Sequence, residues 1–253
     1  MIAVLVRVVV WLLAGHAVVG GLYWSLLLVP ESNAWMLTFS ALLVALVVVA
    51  FGWVETAAAL TWTGRYPFGS RMRRALRGVP AMVVGIVVFG LVWWLTGWVL
   101  GWADDHRGEI YAALMARFGW TRTGWVHATI AWAVWVVRYP IGLSLGLAPL
   151  VAAAVDGFPA LLRLGWVLRA LAPVRLALTA VCLLAFVWLP WHAVYWRPKA
   201  LPATWLQPAF VTAKLLIIYV LMNVGWALIL KTAAWGSARP AAAAPPAPPN
   251  TRG

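Results

Sequence analysis

The chain has 253 residues, 65% hydrophobic and only 10% charged, with a mean hydropathy of +0.92. Soluble domains carry about 45–50% apolar and about 25% charged residues, so a water-soluble fold is excluded and a lipid bilayer is the solvent this composition requires. The net charge of +13 would suit a nucleic-acid binder, but the basic residues sit in short loops between apolar runs, where they orient the chain and meet anionic lipid headgroups.

Apolar runs of about 20 residues read as transmembrane helices. Six are predicted, over about 3–29, 35–62, 79–102, 125–155, 174–196 and 209–230. The fold class is therefore an all-α polytopic integral membrane protein, with short amphipathic interfacial helices in its linkers. The first run ends at "PESN". A cleaved signal peptide is set aside, because only Arg7 precedes the apolar stretch and the stretch continues past any cleavage site. Arg7 lies near the first end of its helix and can snorkel to the headgroups. His16, in mid-span, reads as a packed or hydrogen-bonded residue.

The second run holds Glu55, the one acid within any span. The linker "SRMRRALRG" places Met72, Leu76 and Val79 towards lipid and its arginines towards headgroups, so it is predicted to lie on the membrane surface. The third run is followed by "ADDHRGEIYAALMARFGWTRTG", in which Ile110, Tyr111, Leu114, Met115 and Phe118 recur at helical spacing. A second interfacial helix is expected there, with Asp104 and Asp105 at its N-terminus, where negative charge is favoured. Asp104, Asp105, His106 and Glu109 also carry metal-ligating atoms, but capping accounts for the acids and no metal site is assigned.

The fourth run has 31 residues. At 1.5 Å per residue it makes about 46 Å of helix, too short for two spans. A single span kinked at Pro140 is expected. Arg138 lies about 20 Å from the start of this helix, and its Cα–Cβ bond leans towards the more distant surface. Glu55 and Asn223 lie at comparable depth. The expectation is a polar cluster of Arg138, Glu55 and Asn223, joined by Arg7, in the half of the bundle nearer the termini. It would be either a structural ion pair or a substrate or ion site opening to the cytoplasm, the remaining alternative being that Arg138 merely snorkels. The motif Arg-Tyr-Pro-x-Gly occurs at 65–69 and 138–142, an echo attributed to chance.

The fifth run buries Cys182, which reads as packing. In the sixth, Lys214 leans to its nearer surface. His127 and His192 lie at matching depths, so a bis-histidine haem is a geometric alternative. Nothing else supports it, and no cofactor is assigned. Residues 1–235 thus form one six-helix membrane domain, and the Pro/Ala-rich stretch 236–253 is expected to be a disordered cytoplasmic tail.

With both termini on one side, that side collects Arg65, Arg71, Arg73, Arg74, Arg77, Arg163, Arg169, Arg175, Lys231, Arg239 and Arg252. The other collects Arg107, Arg117, Arg122, Arg197 and Lys199. The bias of 11 to five places both termini in the cytoplasm, and the Arg-over-Lys, Ala-rich coding fits the inner membrane of a GC-rich bacterium. The chain contains no "HExxH", no phosphate-binding loop and no pair of carboxylates within a span. The leading expectation is a non-enzymatic membrane component, an assembly factor or accessory subunit with a protein partner. A small transporter with a polar site around Arg138 is the alternative, and an enzyme acting on a lipid-linked substrate is third.

Overall fold

The structure, a computed structural model, describes residues 1–30, 32–119, 124–163, 165–196 and 205–235. The expected tail over 236–253 lies outside the described residues. Among the described residues the chain is helical, with no β-strand. Helix α1 (Ile2–Leu27) and helix α2 (Ala34–Thr63) form the first two crossings. Helix α3 (Phe68–Asp105) is the third, followed by α4 (Arg107–Phe118). The fourth crossing is α5 (Gly124–Val136), a π-helical turn at Val137–Ile141, and α6 (Gly142–Asp156). A 3₁₀ turn (Phe158–Leu162) and the short α7 (Gly165–Ala170) lead to the fifth. That crossing is α8 (Pro173–Leu183), a second π-helical turn at Leu184–Trp188, and α9 (Leu189–Tyr195). Helix α10 (Leu206–Ala234) is the sixth. Six segments are thus long and apolar enough to cross a membrane.

Local chemistry sets the helix ends. Asn33 caps α2, its Oδ1 accepting from the Met36 amide at 3.0 Å. At the other end Gly64 takes φ +64°, the left-handed conformation that a side chain would penalise. Arg71 then ties the turn together: its Nη1 donates to Thr61 Oγ1 at 3.0 Å and its Nη2 to the Tyr66 carbonyl at 3.2 Å. These bonds change the reading of "SRMRRALRG". It is no separate surface helix but the opening turns of α3, which runs unbroken through Pro80. The second amphipathic segment does form a helix, α4, with no buried residue. Asp104 and Asp105 close α3 instead of opening α4, and Glu109 occupies the first turn of α4.

Both breaks in the long crossings are π-type turns beside a proline. Proline lacks the amide that would bond four residues back, and its ring crowds that carbonyl. Here the ladder slips by one residue: the Gly142 amide reaches the Val137 carbonyl, and the Leu189 amide reaches the Leu184 carbonyl. Pro140 sits inside the first π turn, and Pro190 follows the second. The fourth crossing is accordingly one span, as its length predicted, and Pro140 falls in its π turn.

Packing differs between the two halves of the bundle. Towards the termini the core is tight: Val8 and Leu12 of α1, Ala57 to Leu60 of α2, Val151, Ala154 and Val155 of α6 and Ala227, Ile229 and Leu230 of α10 form one cluster. Small residues let the backbones close in, as lipid-solvated helices require. A Cβ on Gly85 of α3 would overlap the Gly146 carbonyl of α6, and one on Gly78 would strike Thr56 and the Leu150 carbonyl. Indole N–H groups add cross-links between helices. Trp11 donates to the Val54 carbonyl at 3.0 Å, Trp53 to Met72 at 3.1 Å, and Trp62 to Ala227 at 2.9 Å. Away from the termini the tryptophans do something else: Trp24, Trp35, Trp94, Trp98 and Trp102 are exposed on the outside of the bundle, where indoles favour the membrane–water boundary.

Candidate functional site

Three helices bring polar side chains together in the middle of the bundle. His16 comes from α1, about 21 Å along it. Glu55 comes from α2, and Asn223 and Trp226 come from α10, where a spacing of three puts them on one face. Imidazole Nε2 of His16 lies 2.6 Å from Glu55 Oε1, and Nδ1 lies 2.7 Å from Asn223 Oδ1. The second carboxylate oxygen, Oε2, accepts from Trp226 Nε1 at 2.6 Å. Asn223 is itself oriented, because its Nδ2 donates to the Tyr219 carbonyl at 2.9 Å. Tyr219 in turn donates its hydroxyl to the Leu13 carbonyl of α1 at 3.1 Å.

Glu55 is 1% exposed and the His16 side chain 20% exposed. A carboxylate removed from solvent to this extent costs several kcal/mol unless partnered, and breaking a buried pair by deleting one member costs about 3–5 kcal/mol. Each oxygen of Glu55 has a partner, which is how the span tolerates an acid.

His16, Asn223 and Trp226 form part of the wall of a cavity of about 770 Å³, with Glu55 behind them. The cavity lies in mid-bundle and extends away from the termini, beside Val19, Gly20 and Tyr23 of α1 and Val47, Val48 and Phe51 of α2. Phe89 of α3, Tyr139 of the first π turn and Val187 of the second complete it, with Tyr219 and Met222 from α10. Apart from His16, Asn223 and the rims of a few aromatic groups, this wall is hydrocarbon. Both π turns face the same space, and such bulges recur at functional sites. A smaller cavity of about 240 Å³ reaches Glu55 from the α3–α6 side, past Gly85 and Gly146.

Of the four side chains expected to meet, the structure brings two together. Glu55 and Asn223 share His16 as their common partner. Arg138 is elsewhere: its Nε donates to Thr96 Oγ1 at 3.0 Å, Nη2 to the Trp93 carbonyl at 3.4 Å, and the guanidinium lies 4.2 Å from the Trp93 ring centre. It leans along α3 towards the far surface, the direction its Cα–Cβ bond sets. Arg7 is exposed on the outside of α1. The tight core lies on the side of the cluster nearer the termini and the larger cavity on the other side, and a separate cavity of about 480 Å³ lies beside Trp62, Cys182 and Lys231 near the terminal ends of α2, α8 and α10.

The remaining candidates resolve locally. His127 Nδ1 pairs with Asp104 Oδ1 at 3.4 Å, while His192 Nδ1 contacts the Trp188 carbonyl of its own helix at 2.8 Å. The two histidines have no common partner among the described residues, and no group of three His, Cys, Asp or Glu side chains converges there. Lys214 donates Nζ to the Val194 and Trp196 carbonyls at 2.7 and 3.1 Å, covering the end of α9. Cys182 is buried and free.

His16 and Trp226 are the members that charge-based ranking passes over. A signal existed: Tyr219, Asn223 and Trp226 recur at 0, +4 and +7, and His16, Gly20 and Tyr23 do the same, each series marking one helix face. Comparison of the chain with family models, with curated proteins and with solved structures finds no match, so the arrangement is interpreted from its own geometry.

His16→Leu should lower stability by about 3–5 kcal/mol, because it strands the Glu55 carboxylate. The double variant His16→Leu/Glu55→Leu should recover much of that loss, since both partners then become apolar. Thermal unfolding in detergent measures both, and additive losses would contradict the coupling. Exchange of charge between Glu55 and Arg138 (Glu55→Arg with Arg138→Glu) should rescue nothing.

Proposed function

We propose that this protein is a non-enzymatic carrier of the bacterial inner membrane that binds a small amphipathic molecule inside the bilayer. The observation behind this reading is an apolar cavity of about 770 Å³ whose wall carries His16, Asn223 and Trp226, with Glu55 bonded to His16 and Trp226 behind that wall. Ligand sites are concave, largely apolar and supplied with a few fixed polar groups, commonly over about 300–1,000 Å³. A purely structural ion pair would need no such space beside it. Of the three classes raised by the sequence, the cavity favours the transporter, with its site moved from Arg138 to His16, Glu55 and Asn223. An accessory-subunit role remains compatible with a carrier that works beside a partner.

The test is saturable incorporation of a neutral trifluoromethyl-phenyl-diazirine photolabel into the full chain in lipid nanodiscs. Labelling should saturate at cavity residues such as Phe51 and Met222 and disappear from them in Val48→Trp, which fills the space. Labelling that never saturates, and that falls only on lipid-facing residues such as Trp94 and Leu95, would overturn the reading.

The termini are proposed to face the cytoplasm, with the basic linkers against anionic lipid, on the strength of the asymmetry in Lys and Arg. In a Cys182→Ala background, a membrane-impermeant maleimide should label Gly108→Cys on intact cells and Ser70→Cys only after lysis. The reverse pattern would invert the orientation.

A further inference from the structure

The hydrogen-bond roles in the central cluster fix a proton. Asn223 presents Oδ1 to His16, because its Nδ2 is committed to the Tyr219 carbonyl. An amide oxygen only accepts, so His16 Nδ1 carries a hydrogen and donates. On the other side of the ring, Nε2 and Glu55 Oε1 are 2.6 Å apart. Two lone pairs at that separation repel, so a second hydrogen lies between them. It is either on Nε2, giving imidazolium and carboxylate, or on Oε1, giving neutral imidazole and carboxylic acid. In both forms the pair is electrically neutral, and in both it holds one proton that can leave.

Loss of that proton changes the site's charge without changing its composition. The pair becomes neutral imidazole and carboxylate, with net charge −1, beside the hydrocarbon wall of the cavity. Among the described residues, no Lys or Arg lines that cavity. The titratable groups facing it besides His16 are the phenols of Tyr23 from α1, Tyr139 from the first π turn and Tyr219 from α10. Glu55 faces His16 from α2, and α3 and α8 contribute only apolar side chains. Arg138 is engaged by Thr96 and Trp93 on α3, and Arg7 is exposed on α1. Nothing fixed in the wall therefore supplies the compensating positive charge.

Resting on the carrier reading above, we infer that the cavity takes a lipophilic monovalent organic cation in exchange for the proton held between His16 and Glu55. One proton leaves for water as one cation enters, so the net charge of the site is unchanged. A small inorganic cation fits poorly, since it needs several oxygen ligands and this wall offers few. A large, weakly hydrated cation gains instead from aromatic faces, which attract it electrostatically, and Phe51, Phe89 and Tyr139 provide them.

The experiment uses the full chain in nanodiscs with tetraphenylphosphonium as probe and tetraphenylborate as the anion of the same shape. Tetraphenylphosphonium should bind and release about one proton per cation, read with a pH indicator in weakly buffered solution. Its affinity should rise by up to about tenfold per pH unit, the slope for exchange of one proton. Glu55→Gln should lose both the binding and the release; should that variant not fold, the proton count on the unmodified chain decides alone. Binding without proton release, or equal affinity for tetraphenylborate, would overturn the exchange. If the neutral photolabel saturates the cavity while tetraphenylphosphonium does not bind, the exchange fails and the carrier reading survives. If neither engages the cavity, both fail.

Discussion

A carboxylate in the middle of a bilayer has to be partnered, and the way Glu55 is partnered organises the bundle. Its two oxygens are taken by His16 of α1 and Trp226 of α10, and His16 passes the connection back to Asn223 of α10. Three crossings are thereby fixed in depth and rotation about a single point. Hydrophobicity alone does not do this, because lipid tails solvate a leucine face as well as another helix does. A directional cluster gives the apolar helices a register.

The rest of the packing divides around that point. Between the cluster and the termini, glycine and alanine let helices approach, and three indole N–H groups span the gaps to backbone carbonyls. On the other side the helices part, and the two π turns, each next to a proline, face the space between them. The polar cluster thus lies between a tightly packed core and the larger cavity. A buried pair placed there is a constraint on folding, and its His16 member faces the cavity together with Asn223 and the phenols of Tyr23, Tyr139 and Tyr219.

The number of crossings, their approximate ends and the irregularity at Pro140 were legible in the sequence, because runs of hydrocarbon and a proline leave strong, local signals. The site was half legible. Depth along a helix follows from counting at 1.5 Å per residue, and it correctly put Glu55 and Asn223 at compatible levels. Rotation about the axis is harder to count. Each residue turns the helix by about 100°, so a π turn that inserts one residue into the ladder re-aims every side chain beyond it. Arg138 sits inside such a turn and faces α3, where Thr96 and Trp93 receive it. Ranking residues by formal charge also put Arg138 ahead of His16, although an imidazole, with a polar nitrogen on each side of its ring, can bond a carboxyl group and an amide at once. The pairing of α3 with α6 had a signal of its own in "GLSLG" at 142–146, the small-xxx-small spacing that brings helices close. The opening of α3 at Phe68 did not, since "SRMRRALRG" is as amphipathic as a surface helix and only its bonds to Thr61 and Tyr66 decide otherwise.

The central claim is that His16 and Glu55 share a proton within the membrane. Solid-state NMR of the protein in bilayers, with labelled histidine and glutamate, tests it most directly. The account predicts a through-space contact between His16 Nε2 and the Glu55 carboxyl carbon, with a strongly deshielded proton on that bond and a hydrogen on Nδ1. A Glu55 carboxyl that shows no contact with any imidazole, and lies instead against the Arg138 guanidinium, would contradict it.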